Sequence, residues 1–136
     1  MPRSSTAFLL ATLAAACASP SPTPVLLGQI EEDLRALDNA IGKYQQARGT
    51  LPPDLGPSLV REGCLERVLV DPYESGTEYD GIRTYGYFVG HSSQGDYYVV
   101  YSRGPDGQRS FEYDPEEDRI DLRGGDDEIQ SNLLVR

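Results

Sequence analysis

The chain has 136 residues, 38% of them apolar, and its 22 acidic side chains against 12 basic ones give a net charge of −10. That length fits one small domain with a modest core. The charge argues against a nucleic-acid backbone as partner, since phosphates attract the opposite sign, and disfavours attachment to anionic lipid by charge alone; a bound cation or a basic protein surface suits it.

Residues 1–16 read as an export signal. Arg3 supplies a positive start, and residues 7–16 are an apolar run too short to span a bilayer. The run ends in Leu13-Ala14-Ala15-Ala16-Cys17, which resembles a bacterial lipobox with Ala14 where Leu is usual. Cys17 is therefore expected to carry a lipid; ordinary signal cleavage nearby is the alternative. Residues 17–24 then serve as a tether, rich in Pro and Ser and so extended and semi-rigid. With Cys17 lipidated, Cys64 is a lone thiol, expected to be buried and inert, because the one histidine, His91, falls in a turn.

Residues 25–48 are expected to form one long helix. Leu26, Ile30, Leu34, Leu37, Ile41 and Tyr44 recur every three or four positions and make one apolar stripe. Pro24 suits a first helical position with Thr23 as its cap, and Gly49 followed by Pro52-Pro53 ends the helix. The stripe is expected to pack on the domain's own sheet rather than on a partner helix. Residues 51–65 form a connector with a short helix near 57–62, and Asp71-Pro72-Tyr73-Glu74-Ser75-Gly76 reads as a turn.

Two alternating runs follow. Tyr85, Tyr87 and Val89 share one face, with Gly86, Phe88 and Gly90 on the other. Tyr97, Val99 and Tyr101 likewise oppose Tyr98, Val100 and Ser102. Both runs predict antiparallel strands joined by a loop at 91–96. A further short hairpin is expected from 111–113 and 119–122, around Asp114-Pro115-Glu116-Glu117. The expected fold is α+β in two layers, one long helix packed on a small antiparallel sheet.

Between Asp106 and Glu128 lie ten acidic residues, opposed only by Arg109, Arg119 and Arg123. The stretch reads as a long acidic C-terminal loop, opened by the turn Gly104-Pro105-Asp106-Gly107 and closed by Gly124-Gly125-Asp126-Asp127-Glu128. A solvated loop is one reading. If the loop folds back so that Asp106 meets Asp126 and Asp127, their repulsion calls for a hard divalent cation, and calcium tolerates irregular loop geometry best. The regular spacing of an EF-hand is absent.

In this order the pieces resemble the major pseudopilin of the type II secretion system (general secretion pathway protein G). Ile41-Gly42-Lys43-Tyr44 with Gly49-Thr50-Leu51-Pro52 is similar to that family's helix end and the step after it. Asp71-Pro72-Tyr73 with Gly76 resembles its Asp-Pro-aromatic-Gly turn, and Tyr85 to Phe88 the strand that follows. Ser102-Arg103-Gly104-Pro105-Asp106-Gly107 resembles its Ser-x-Gly-x-Asp-Gly loop, and Asp126-Asp127-Glu128-Ile129 its closing Asp-Asp-Ile. The resemblance covers residues 25–129. It implies a pseudopilin-like globular domain at 25–136 and one structural calcium ion, held by Asp106, Asp126, Asp127 and the main-chain carbonyl of Arg103. Because this acidic stretch is longer than the family's, Asp114, Asp118 or Asp121 are alternative ligands. At its start the chain departs from the family, with an export signal, a lipidation cysteine and an amphipathic helix in place of a prepilin leader and an apolar membrane helix.

The function expected is that of a non-enzymatic, calcium-stabilised envelope lipoprotein associated with type II protein secretion. Its partners would be secretion-system or other envelope proteins, and the membrane through a lipid anchor. The alternative is a stand-alone envelope lipoprotein that uses the same fold as an interaction module. No nucleophile motif, sugar-binding aromatic platform or small-molecule substrate site accompanies the paired carboxylates, so no catalytic residue is assigned.

Overall fold

A computed structural model of the chain describes residues 24–123 and 127–135, with the side chains of residues 24, 25, 134 and 135 left aside. The expected signal segment, Cys17, the tether up to Thr23, and the residues Gly124, Gly125 and Asp126 lie outside the described residues.

Helix α1 spans Pro24–Arg48. Its stripe is buried as its spacing requires: Ile30, Leu34, Leu37, Ala40 and Ile41 are almost fully enclosed. Gly49 ends it with φ +74° and donates its N–H to the Gln45 carbonyl at 2.7 Å, the left-handed cap that glycine takes without strain. Helix α2 is Pro57–Arg61. Asp54 serves its N-terminus, its Oδ1 accepting the N–H of Gly56 and of Ser58, both at 3.0 Å, and its Oδ2 the Ser58 hydroxyl at 2.6 Å. An Arg48–Glu62 ion pair ties the end of α1 to the end of α2.

Two short strands, β1 (Glu78–Tyr79) and β2 (Ile82–Arg83), form a two-stranded ribbon. β3 (Gly86–Ser92) and β4 (Gly95–Ser102) form the main hairpin, which reaches further than the expected loop at 91–96: Ser92 pairs with Gly95 and only Ser93 and Gln94 turn. β7 (Glu128–Ser131) adds antiparallel to the other edge of β4. β5 (Phe111–Asp114) and β6 (Arg119–Leu122) pair antiparallel at the two places expected, and β8 (Leu134–Val135) pairs parallel with β6.

The α+β class and the long helix on a small antiparallel sheet are as expected. The long acidic C-terminal loop is not: within residues 106–128 the chain makes β5 and β6 and enters β7. The strands stand where the hairpin was expected, but charge hid their apolar face, since Glu112, Asp114 and Asp121 alternate with Phe111, Tyr113 and Ile120. Those three side chains cover the second face of the β3–β4–β7 sheet, so the domain has three layers rather than two. One core lies between α1 and that sheet, built on the helix stripe with Leu55, Leu59, Tyr85, Tyr98 and Val100. The other gathers Tyr97, Val99, Tyr101, Phe111 and Ile120 on the far side.

Gly86 and Gly90 make that second core possible. Across the β3–β4 register they face Tyr101 and Tyr97. A side chain at either glycine would stand inside the opposing tyrosine ring, so each ring fills the slot its glycine leaves.

Candidate functional site

The pieces that carry the family resemblance are distant in sequence and adjacent in space. Asp71 is fully buried. Its Oδ1 accepts the Tyr73 N–H at 2.9 Å and the Ser102 hydroxyl at 2.9 Å, and its Oδ2 accepts the Ser75 N–H at 2.9 Å. A buried carboxylate persists only with such partners, and these three offset its lost hydration. Ser75 passes the connection on: its hydroxyl accepts the Arg103 N–H at 2.7 Å. The Asp71-Pro72-Tyr73 turn is thus latched to the end of β4, where the 103–110 loop begins. Gly76 closes the turn, its N–H bonded to the Thr84 carbonyl at 2.9 Å. Any side chain at Gly76 would run into the backbone carbonyls of Thr84 and Tyr85, so the position admits only glycine.

A second junction joins the end of the α1 segment to β3. The Tyr87 hydroxyl donates to the Pro52 carbonyl at 2.8 Å. A third involves the acidic residues. Gly104 and Gly107 both have positive φ (70° and 65°), and the Gly107 N–H reaches the Gly104 carbonyl at 3.3 Å. Asp106 is exposed within this turn, and its Oδ1 accepts the Gln108 N–H at 2.9 Å. Asp127 is brought to the same loop, its Oδ2 accepting the Ser110 N–H at 2.9 Å.

Of the expected calcium ligands, Arg103, Asp106 and Asp127 therefore belong to one loop region, and Asp126 lies outside the described residues. Their all-oxygen chemistry is that of a calcium site. Among the described residues, however, no three Asp, Glu, His or Cys side chains converge as a metal-ligating group. The alternative ligands are engaged elsewhere. Asp114 Oδ1 accepts the N–H of Glu116 at 2.9 Å and of Glu117 at 3.2 Å. Asp118 accepts hydroxyls from Tyr113 at 2.6 Å and Ser93 at 2.9 Å, and Asp121 takes Arg119 Nε at 2.7 Å. The hydrogen bond that Tyr113 donates to Asp118 pushes its phenol up to about 12.

His91 lies in β3 rather than in a turn, its side chain 86% exposed and its Nδ1 2.5 Å from Asp96. Cys64 is half-buried against the edge of the helix-side core, less enclosed than expected. No described helix is long and apolar enough to cross a membrane.

Sequence reasoning missed Asp54 and Ser75 as organising residues. Asp71 and Ser102 stood in the stretches that carry the resemblance, but nothing in the sequence paired them. No protein-family model, no curated protein and no solved structure matches the chain.

Proposed function

We propose that the chain is a non-enzymatic, pseudopilin-like domain, exported and held at the bacterial envelope by a lipid on Cys17, that serves type II protein secretion as a binding module. The observation that carries this reading is the convergence of resembling stretches: Asp71 meets Ser102, Ser75 meets Arg103 and Tyr87 meets Pro52, while Asp127 meets Ser110, three residues past the 102–107 stretch. Such contacts are what one inherited fold would require of stretches otherwise scattered over about a hundred residues.

In this reading Asp106, Asp126, Asp127 and the Arg103 carbonyl would hold calcium. The ion would neutralise the carboxylates and fasten the 103–110 loop to the strand that follows. The fold's role is then that of a rigid surface presented on a tether, because the export signal, the tether and the domain follow one another in that order. The alternative, a stand-alone envelope lipoprotein using this fold as an interaction module, makes the same structural predictions and differs only in its partners.

Thermal unfolding in excess calcium and then in excess chelator tests the calcium reading. A site filled at about a hundred times its dissociation constant adds about 2.7 kcal/mol, which raises the midpoint of a domain this size by about ten degrees. A shift of that size with calcium and not magnesium is expected, and Asp106→Ala should abolish it; an unchanged midpoint removes calcium from the proposal. Cys17→Ser should release the protein from membranes, as membrane fractionation would read, and a variant that stays bound removes the lipid as sole anchor.

A further inference from the structure

A cleft of about 350 Å³ opens beside the Asp71 latch, between residues 53–55, the turn at 75–77, Tyr79 and the start of β3. Its lining is mostly polar, and its one cation is Arg103. Half-buried at the mouth of the 103–110 loop, the Arg103 guanidinium makes no hydrogen bond or ion pair with any described side chain, and its Nε is buried without an acceptor. The arginines at 48, 83, 119 and 123 hold carboxylates, Arg109 lies over the Phe88 and Phe111 rings, and those at 35, 61 and 67 are exposed to solvent. Arg103 differs from the solvated arginines in being half-buried, and an orphaned buried donor is costly unless something arrives to accept from it.

We propose that this cleft binds a monocarboxylate, with the Arg103 guanidinium as its anchor. The planar fork of arginine matches a carboxylate with two parallel hydrogen bonds. The charge count selects a monoanion. The one carboxylate in the lining, Asp54, is committed to the N–H groups of Gly56 and Ser58 and to the Ser58 hydroxyl and makes no ion pair with Arg103, which leaves one cation to be met. A phosphate dianion or a polyanion would meet uncompensated repulsion there.

The walls suit a small amphipathic body behind that carboxylate. The Tyr79 ring packs over Gly56, where an added Cβ would lie 2.9 Å from the ring, and the Tyr101 ring fills the slot above Gly86. Both rings are therefore fixed, and the cavity is the size of an amino acid with its neighbour. Two sources share this chemistry, a free N-acylated amino acid and the C-terminus of a peptide. The inference stands apart from the calcium reading, which uses the Arg103 carbonyl and not its side chain.

The test is a titration of the full chain followed by NMR at the Arg103 Nε–H and the amides of Ser75 and Thr77. The probes are N-acetyl amino acids of aliphatic, aromatic and acidic type, and peptides ending in the same residues. Each is paired with its carboxamide, and inorganic phosphate is the competitor. Saturable shifts are expected with the carboxylates and none with the carboxamides. Arg103→Gln should weaken binding by about tenfold or more, and Arg103→Lys, which keeps the charge and loses the fork, by less. Tighter binding of the peptides identifies a chain terminus as the source, and tighter binding of the acetylated amino acids a free acid. Absence of a saturable shift with every carboxylate, equal response to carboxamides, or displacement by phosphate at equal concentration overturns the proposal. A calcium-dependent thermal shift that persists in Arg103→Gln keeps the two readings separate.

Discussion

The two faces of the β3–β4–β7 sheet use the same residue type for different purposes. Towards α1, tyrosines act through their hydroxyls. Tyr85 donates to Asp33 Oδ2 at 2.7 Å and Tyr98 donates to Asp38, two carboxylates that flank the apolar stripe of the helix. On the far face they act through their rings. Tyr97 stacks on Tyr113 at 4.7 Å, Tyr101 meets Phe111 edge-on at 4.9 Å, and the Arg109 guanidinium lies 5.3 Å from the Phe88 ring and 5.1 Å from that of Phe111. The helix-side core is dominated by aliphatic volume with polar ties at its margin, which fix the helix in one register on the sheet. The far core is an aromatic slab laid into glycine slots, where ring packing dominates and the Tyr113 hydroxyl on Asp118 is a tie at its margin.

That contrast can be broken most forcefully at the helix stripe. Ile41 is completely enclosed, and Ile41→Ala should cost about 2–5 kcal/mol in denaturant unfolding. Ile120→Ala, in a smaller cluster beneath short strands that can settle inward, should cost less; an equal or greater loss would make the far core the mainstay of the fold. Next in size is Gly86→Ala. The new methyl must expel the Tyr101 ring, and overpacking of this kind costs about 1–3 kcal/mol. Tyr101→Ala in the same chain should recover part of that loss, a coupling that a double-mutant cycle reads directly. Two independent, additive losses would argue against the slot.

The smallest effect sharpens the division between hydroxyl and ring. Tyr98→Phe should cost about 1 kcal/mol at neutral pH, whereas Tyr97→Phe should cost almost nothing. The pH dependence follows in sign. Burial first, and then the hydrogen bonds to Asp33 and Asp38, raise the Tyr85 and Tyr98 phenols well above the ordinary range, and burial also raises Tyr87. Their contribution is complete below the unfolded value near pH 10 and is lost above it, because the unfolded chain ionises first. Alkaline titration of stability should therefore be flat up to about pH 10 and fall steeply beyond, less steeply in Tyr98→Phe.

Much of this architecture could be read from residue order. The 3.6-residue spacing located α1 to within one residue at its start, because an amphipathic stripe bounded by Pro and Gly leaves little choice. The alternation at 85–90 and 97–102 located the main hairpin for the same kind of reason. What escaped was the second layer. Phe111, Tyr113 and Ile120 are too few to announce a buried face while acidic neighbours dominate the average, and Gly86 and Gly90 look like an empty face until the opposing strand supplies its rings. The candidate site was half legible. The turn at 71–76 and the loop at 103–107 were visible as turns, but the Asp71–Ser102 bond links residues 31 apart with no local pattern to pair them. Arg103 drew attention for its carbonyl, while its side chain, lining a cleft that exists only once four segments meet, left no mark in the sequence.

The last strands carry a consequence for how the domain comes into being. β7 completes the sheet on β4 and β8 completes the sheet on β6, and both follow, in the chain, every strand they join. A polypeptide emerging or being threaded from its N-terminus cannot seal either layer until residues 128–135 are free. Until then β4 and β6 each present an open edge, and folding must wait on contacts of long sequence separation. Closure is thus a late event, timed by residues 128–135.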